Sequence, residues 1–406
     1  MCGSFVAGSQ KIYISCGGRA REIATPHSQE DSCHRFASER KLYAGPRYYI
    51  RPRRRWAATL LQSPSLSAEQ TSTAGNYVYV MTNKKPGNSV IQYLRGSNGA
   101  LTWVREVATG GSGTGPNGAD PLGSQDSLVL SGDGHFLLAA NAGSNEVSVL
   151  GVINGKLMWL SKTRSGGDFP NSIALSGDLV YVLNSKGAAP SITGFRLDGN
   201  GGLHWLTKVL LPAGSMGPND IRFAPDGSEL LVTLSASNQI LVFPLKANGI
   251  AGSPVAQMSA GMSPFGIRFG HNEVALISEA SGSLSSYQLV GADMVNTISG
   301  AVADTQMATC WISVPRDGKH AFVSNTGSGT LSVYDVAPDG QLTLLKAVAA
   351  DPGGGPIDSA LTDDGRFLYV DSSVTGKVFV FRVDSGSLIP MGSVAAVVGL
   401  QGIAGQ

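Results

Sequence analysis

The sequence predicts an all-β chain, a seven-bladed β-propeller of four-stranded antiparallel blades over residues 76–406. Three observations carry this reading. Glycine supplies 53 of 406 residues, charged residues are 15% and hydrophobic residues 42%, a balance that disfavours disorder and charge-striped helices. A six-residue pattern (small or polar, polar, aliphatic, any, any, aromatic or Leu) occurs seven times, ending at Tyr93, Leu150, Phe195, Phe243, Tyr287, Tyr334 and Phe381. The ends are 57, 45, 48, 44, 47 and 47 residues apart, the spacing of four-stranded propeller blades.

The elements follow in order. The first repeat opens on a strand b, Tyr77–Met81, with no strand a ahead of it. In a full repeat, Ile221–Phe223 is strand a, Glu229–Thr233 strand b and Gln239–Phe243 strand c. Asp226-Gly227 joins a to b and recurs as Asp133-Gly134, Asp317-Gly318 and Asp364-Gly365; Asp-Gly suits a tight hairpin in which both turn positions take positive φ. Strand d follows Gly99-Ala-Leu101, Gly155-Lys-Leu157, Gly202-Leu203 and Gly340-Gln-Leu342, and the last one lies near Leu388–Val394. The tail Gly399-Leu-Gln401 resembles Gly123-Ser-Gln125, which opens a strand a. The tail is therefore expected to supply strand a of the first blade, closing the ring and removing its free edges.

Residues 1–70 carry 11 Lys/Arg against 5 Asp/Glu, and the rest of the chain 19 against 24. Residues 1–75 show no period of 2 or 3.6, include Arg51, Arg53, Arg54 and Arg55, and are expected to form a disordered basic extension. No run of 18 apolar residues marks a membrane helix. A net charge of +1 announces neither a nucleic acid nor a membrane partner. Cys2, Cys16 and Cys33 lie in the head and Cys310 is alone in the body, so the body can form no internal disulfide. That fits a reducing compartment and favours the cytoplasm, with secretion as the alternative.

In a propeller the d–a and b–c loops share one face. Asp220 and Asp358 at the start of strand a, and Glu279 and Asp371 at the end of strand b, are expected to converge on that mouth. Clustered carboxylates can serve as acid and base, hold a hard cation, or simply form a solvated rim; Asp220, Glu279 and Asp358 are the catalytic candidates. Arg222 and Arg268 occupy matching places in neighbouring strands a, able to grip a carboxylate or phosphate or to pair with an acid between blades. Asn219, Gln125, Asn171, Asn325 and Asp371 complete the candidate binding set, the Asn side chains being equally suited to capping strand ends. Of the histidines outside the head, His135, His271 and His320 fall at or beside a–b turns and His204 on an outer strand. A Ser-His-Asp triad or His-based zinc site is therefore not expected, and no metal or cofactor is assigned. Cys310, beside Trp311, reads as core packing. Trp103, Trp159 and Trp205 share one position in three outer strands and read as wall packing. The glycine runs 110–118 and 353–355 lack the Lys and Ser/Thr of a phosphate loop.

Leu130-Ser-Gly-Asp-Gly134, the segment Ala140–Val149, Ser263-Pro-Phe-Gly-Ile267, and Cys310-Trp311 running to Ser332 together resemble the lactonase family of seven-bladed propellers. That family includes a bacterial 6-phosphogluconolactonase and the fungal 3-carboxy-cis,cis-muconate cyclase. The resemblance spans about residues 77–406 and implies an enzyme that opens or closes a lactone of a small carboxylated or sugar-acid compound. In the family's phosphogluconolactonases a Gly-Pro-Arg-His pattern opens a strand a, its Arg and His serving the site. Here that segment is Gly217-Pro218-Asn219-Asp220, so Asn219 stands for the Arg and Asp220 for the His. The other expectation is a non-catalytic propeller that binds a protein or glycan through its uncharged rim.

Overall fold

The computed structural model describes residues 76–290 and 294–405; the expected basic extension, 1–75, lies outside them. Twenty-eight strands form seven antiparallel four-stranded sheets. In blades 2 to 7 the strands pair in chain order, a to d. Blade 1 takes its strand a, Ile403–Gly405, from the end of the chain, paired with Tyr77–Met81 through Val78–Gly405 and Val80–Ile403. The remaining strands a are Leu128–Leu130, Asp168–Ser176, Pro218–Phe223, Pro264–Phe269, Thr309–Ser313 and Ser359–Leu361.

The hydrophobic core is divided into the spaces between adjacent blades, one cluster per interface, with a further small cluster of Phe265, Cys310, Trp311 and Ile357 joining the starts of blades 5, 6 and 7. Leu230, Val232 and Phe243 of blade 4 meet Tyr181, Leu183 and Ile192 of blade 3. Across the closure, Val78, Ile91 and Tyr93 of blade 1 meet Tyr369, Val378 and Val380 of blade 7, together with Leu400 and Ile403. Each sheet buries both faces, which is why its b and c strands read as near-continuous apolar runs.

The aromatic that ends the six-residue pattern has a structural reason. In six blades the c–d register shifts at or beside it, a β-bulge in the outer pair. A bulge re-aims a side chain. Tyr93 thereby donates its hydroxyl to the Ala395 carbonyl at the end of the preceding blade's strand d, and Tyr334 donates to Val302. The pattern is a blade-to-blade clasp.

Two expectations change. The Asp-Gly turns place only the glycine at positive φ (71° at Gly134, 73° at Gly227). The Asp instead accepts the backbone N–H two residues on, as Asp133 does from His135 and Asp226 from Ser228. This is a type I turn followed by a left-handed residue rather than a mirror-image turn. Trp103, Trp159 and Trp205 are exposed on the outer wall. Trp159 is tethered by its Nε1–H to the Thr109 carbonyl and Trp205 stands edge-on to Phe195. Strand d is the outermost strand, so no further layer exists to cover it.

Candidate functional site

The loop 109–127, between blades 1 and 2, accounts for the long first spacing of 57 residues. It does not skirt the channel but crosses it. Gln125 donates Nε2–H to the Ile312 carbonyl at 2.8 Å and accepts the Ile312 N–H at 3.2 Å, on blade 6. The Ser124 carbonyl accepts from Trp311 Nε1 and Gln401 Nε2, each at 2.8 Å. On the other side, Asn219 Nδ2 donates to the Gly123 carbonyl at 2.7 Å and Ser124 Oγ to the Asn171 carbonyl at 2.7 Å. A segment bonded to strands a of blades 1, 3, 4 and 6 lies on the ring axis. Leu122, Ser124, Gln125 and Ser127 are buried there. The face expected to be an open mouth is closed by a plug.

The plug delivers Asp126, which sequence reasoning did not single out. Its backbone is left-handed, φ 59°, a conformation that favours Asp and Asn among non-glycine residues. The turn drives its carboxylate into the channel between two guanidiniums. Arg268 clamps it with both ends, Nη2 to Oδ1 at 2.8 Å and Nη1 to Oδ2 at 2.9 Å. Arg222 donates Nη1–H to Oδ2 at 2.7 Å. The two arginines therefore do meet an acid from another blade, as one of the two sequence readings held. Their environments differ: the Arg268 side chain is 12% exposed and that of Arg222 37%.

Beneath this trio lie carboxyls with no compensating cation of their own. Asp220 accepts from Ser172 Oγ at 3.0 Å and from the Ile267 N–H at 2.8 Å, with Arg268 Nη1 3.9 Å away. Asp358 accepts the Ser359 N–H at 2.9 Å and is buried, as is Asp371. Glu279 is elsewhere. It turns outward within blade 5, where the Ser259, Ser283 and Ser285 hydroxyls and the Gly261 N–H donate to it. It fills the place that Asn325 takes in blade 6, where Asn325 donates to Thr330 and Ser332. Neither Glu279 nor Asn325 reaches the channel. Asn171 donates to the Pro218 carbonyl at 3.0 Å, so with Asn219 and Gln125 it braces the plug and its neighbouring strands. Cys310 is a buried free thiol with its pKa raised by burial. Among the described residues no cluster of three or more His, Cys, Asp or Glu could hold a metal ion.

The charges sort themselves by partner. Burial penalises the Asp126 carboxylate, but Arg268 and Arg222 outweigh this and hold it below the usual carboxylate range. Burial, then the charge on Asp126, pushes Asp220 up to about 7 against the pull of the arginines. Burial and neighbouring carboxylates hold Asp358 and Asp371 well above the usual carboxylate range. Below about pH 7, with Asp220 protonated, one carboxylate faces two guanidiniums, and the floor of the channel carries a net positive charge.

A carboxyl raised in the folded state stabilises the fold most at low pH and loses that contribution as pH climbs through the folded value. For Asp220 the window runs from 3.8 to about 7, with a slope of up to about 1.4 kcal/mol per pH unit. Asp220→Asn can keep both hydrogen bonds, its amide oxygen on Ile267 and its amide nitrogen on Ser172. It is expected to flatten this slope, so its stability relative to the parent chain rises between pH 5 and pH 8 in urea titrations. Parallel pH dependences would show that Asp220 is already ionised at pH 5.

Above the floor is a cavity of about 270 Å³, lined by Asp126, Arg222, Arg268, Ser313, Ala360 and Ala404 and reaching Arg316 and Asp363 in the a–b turns of blades 6 and 7. Channel, plug and cationic floor together form one candidate site on the propeller axis.

The sequence profile described as "Lactonase, 7-bladed beta-propeller" matches residues 70–217 and 215–397. The chain belongs to this lactonase family. It is 26% identical over 189 residues to a 6-phosphogluconolactonase of Yersinia enterocolitica; the match covers 42% of this chain and 55% of that protein. Among solved structures, the periplasmic gluconolactonase of Pseudomonas aeruginosa superposes with a TM-score of 0.65 at 18% identity, covering 80% of this chain and 98% of the other. A candidate 6-phosphogluconolactonase from Bacteroides uniformis gives 0.66 at 19% identity, covering 80% and 99%. At these identities the structures speak for the fold of this lactonase-family chain. No helix among the described residues is long and apolar enough to cross a membrane.

Proposed function

We propose that the chain hydrolyses the lactone of a small sugar acid, with the lactone carbonyl seated on Arg222 at the channel floor. The observation that supports this best is the asymmetry of the two arginines. Arg268 is consumed by its two-pronged contact with Asp126, whereas Arg222 gives Asp126 one N–H and is partly exposed to the cavity. Arg222 thus keeps donors for a ligand oxygen, held in place by a charge it cannot leave.

A water attacks the lactone carbon, and the oxyanion that forms is stabilised by Arg222, pre-aligned and partly desolvated. The water's proton passes to solvent in the open cavity and the ring oxygen takes one up as the C–O bond breaks, while Asp126, kept ionised by both arginines, holds Arg222 in line. The product is the open hydroxy acid, its new carboxylate on Arg222. Asp220, kept protonated below about pH 7, preserves the positive floor and, once ionised, weakens it. Asp220 and Asp358 act here through charge rather than contact. A muconate-type acid presents the same carboxylate and is the second substrate class for this floor. A non-catalytic binding role has no specific observation in its favour.

The test is hydrolysis of glucono-δ-lactone, followed by acid release against the buffer rate. The chain is expected to exceed buffer, and Arg222→Gln to lose about 10²-fold in kcat/KM while remaining folded. A parent rate equal to buffer, or an Arg222→Gln rate equal to the parent, overturns the reading.

A further inference from the structure

We infer that ligands reach the Arg222 floor from the face of the a–b turns, past the Arg316–Asp363 ion pair, and that Arg316 selects for anions there. This rests on the sugar-acid reading of the same site. The opposite face, where the d–a and b–c loops lie, is closed by the plug, whose Leu122, Ser124 and Gln125 are buried and bonded to blades on both sides of the axis. Gly266 of blade 5 shows how tight the closure is: a Cβ there would stand 2.1 Å from Gln125 Oε1. The cavity extends the other way. Its wall runs from Arg222 and Arg268 along strands a to Pro315, Arg316, Thr362 and Asp363.

Arg316 pairs with Asp363 at 2.8 Å, but its side chain is 72% exposed, and so exposed an ion pair is readily exchanged. Ser313 holds in blade 6 the strand position that Arg222 and Arg268 hold in blades 4 and 5. Arg316 lies three residues beyond it, in the a–b turn that follows the end of the strand at Ser313. A carboxylate approaching the floor therefore meets one exposed cation first. A cleft between blades 6 and 7 continues from the same pair; its walls carry Lys319 and His320 beside Asp317, and Arg366 bound to Asp364 at 2.6 Å, so Arg316 is the cation that also lines the channel cavity. On the face around the plug, Met216, Met262 and Met307 stand exposed at equivalent places before three strands a.

The full-length chain carrying Asp363→Cys, and separately Met262→Cys, is modified with a polyethylene-glycol maleimide. The unsubstituted chain, with its own cysteines, is carried through as control. The readout is the rise in Tm with gluconate. Modified Asp363→Cys is expected to lose the shift that it shows before modification, whereas modified Met262→Cys keeps it. Arg316→Glu, an unmodified variant, is expected to raise the gluconate concentration for half the shift about tenfold without lowering the Tm of the free protein. Loss of the shift in modified Met262→Cys with retention in modified Asp363→Cys overturns the route. So does an unchanged gluconate response in Arg316→Glu. A parent chain that shows no shift with gluconate overturns the sugar-acid reading, and this inference with it, and is told apart by failing before any modification.

Discussion

Deleting residues 400–406 is expected to abolish cooperative folding of the propeller. Leu400 and Ile403 are buried in the closure between blades 7 and 1, and burying such side chains contributes about 1.5–3 kcal/mol each. The deletion also removes the ladder to Val78 and Val80, the bond from the Met81 N–H to the Gly402 carbonyl, and the Gln401 contacts to Asp120, Leu122 and Ser124. At roughly 1 kcal/mol per hydrogen bond the total approaches the 5–15 kcal/mol that holds an ordinary domain together. Blade 1 would then present an unpaired strand b, a template for aggregation. Calorimetry of the truncated chain checks this: a cooperative transition within about 5 °C of the parent, equivalent to a kcal/mol or two, would mean that the ring closes without its last strand.

Arg268→Ala is expected to cost about 3–5 kcal/mol, because it strands the buried Asp126 carboxylate. The guanidinium supplies two of the three charged hydrogen bonds to Asp126 and is the closer cation to Asp220. Arg222→Gln leaves the two-pronged clamp intact and should cost far less, separating the stabilising arginine from the ligand-facing one. The difference has a pH signature. Asp126 titrates below the usual carboxylate range in the folded chain, so its stabilisation is present above pH 4 and disappears as pH falls. The parent and Arg268→Ala should thus converge in acid. Adding Asp126→Ala to Arg268→Ala should recover part of the loss, since the stranded charge goes with it. Urea titrations of the four chains at pH 3.5 and pH 7 measure all of these terms, and a fully additive double mutant would show that the two side chains do not depend on each other.

Much of the fold could be read from residues in line. Periodicity is a local property, and the seven patterns, six ending on an aromatic and one on Leu150, mark strand c of every blade because that end residue packs against the preceding blade. The likeness of Gly399-Leu-Gln401 to Gly123-Ser-Gln125 announced the closure, since both segments meet the same need at the start of a strand a. The site was less legible. Glu279 and Asp371 occupy what looks like one place at the end of strand b. Glu279, however, pairs with Ser283, the first residue of its strand c, while Asp371 pairs with Val378, the second of its own. A step of one residue turns a side chain to the opposite face of the sheet. One acid thus faces its own blade's serines and the other faces the strand of blade 1.

Asp126 was hidden for a different reason. Its sequence neighbourhood, glycine-rich and uncharged from 110 to 118, reads as an ordinary connection. The one visible signal was length, the spacing of 57 where the other repeats take 44 to 48. Length shows that a loop has residues to spare but not where they go.

The sequence by itself determined the blade count, the strands, the closure of the ring and the pair of inward arginines, because each depends on residues close in the chain or repeated along it. Tertiary structure alone decided which end of the channel is open, which acid the arginines hold and which of them is left for a ligand. Those depend on a loop crossing an axis that exists only once seven blades have closed around it, and on charges from blades 2, 4 and 5 brought within 3 Å of each other.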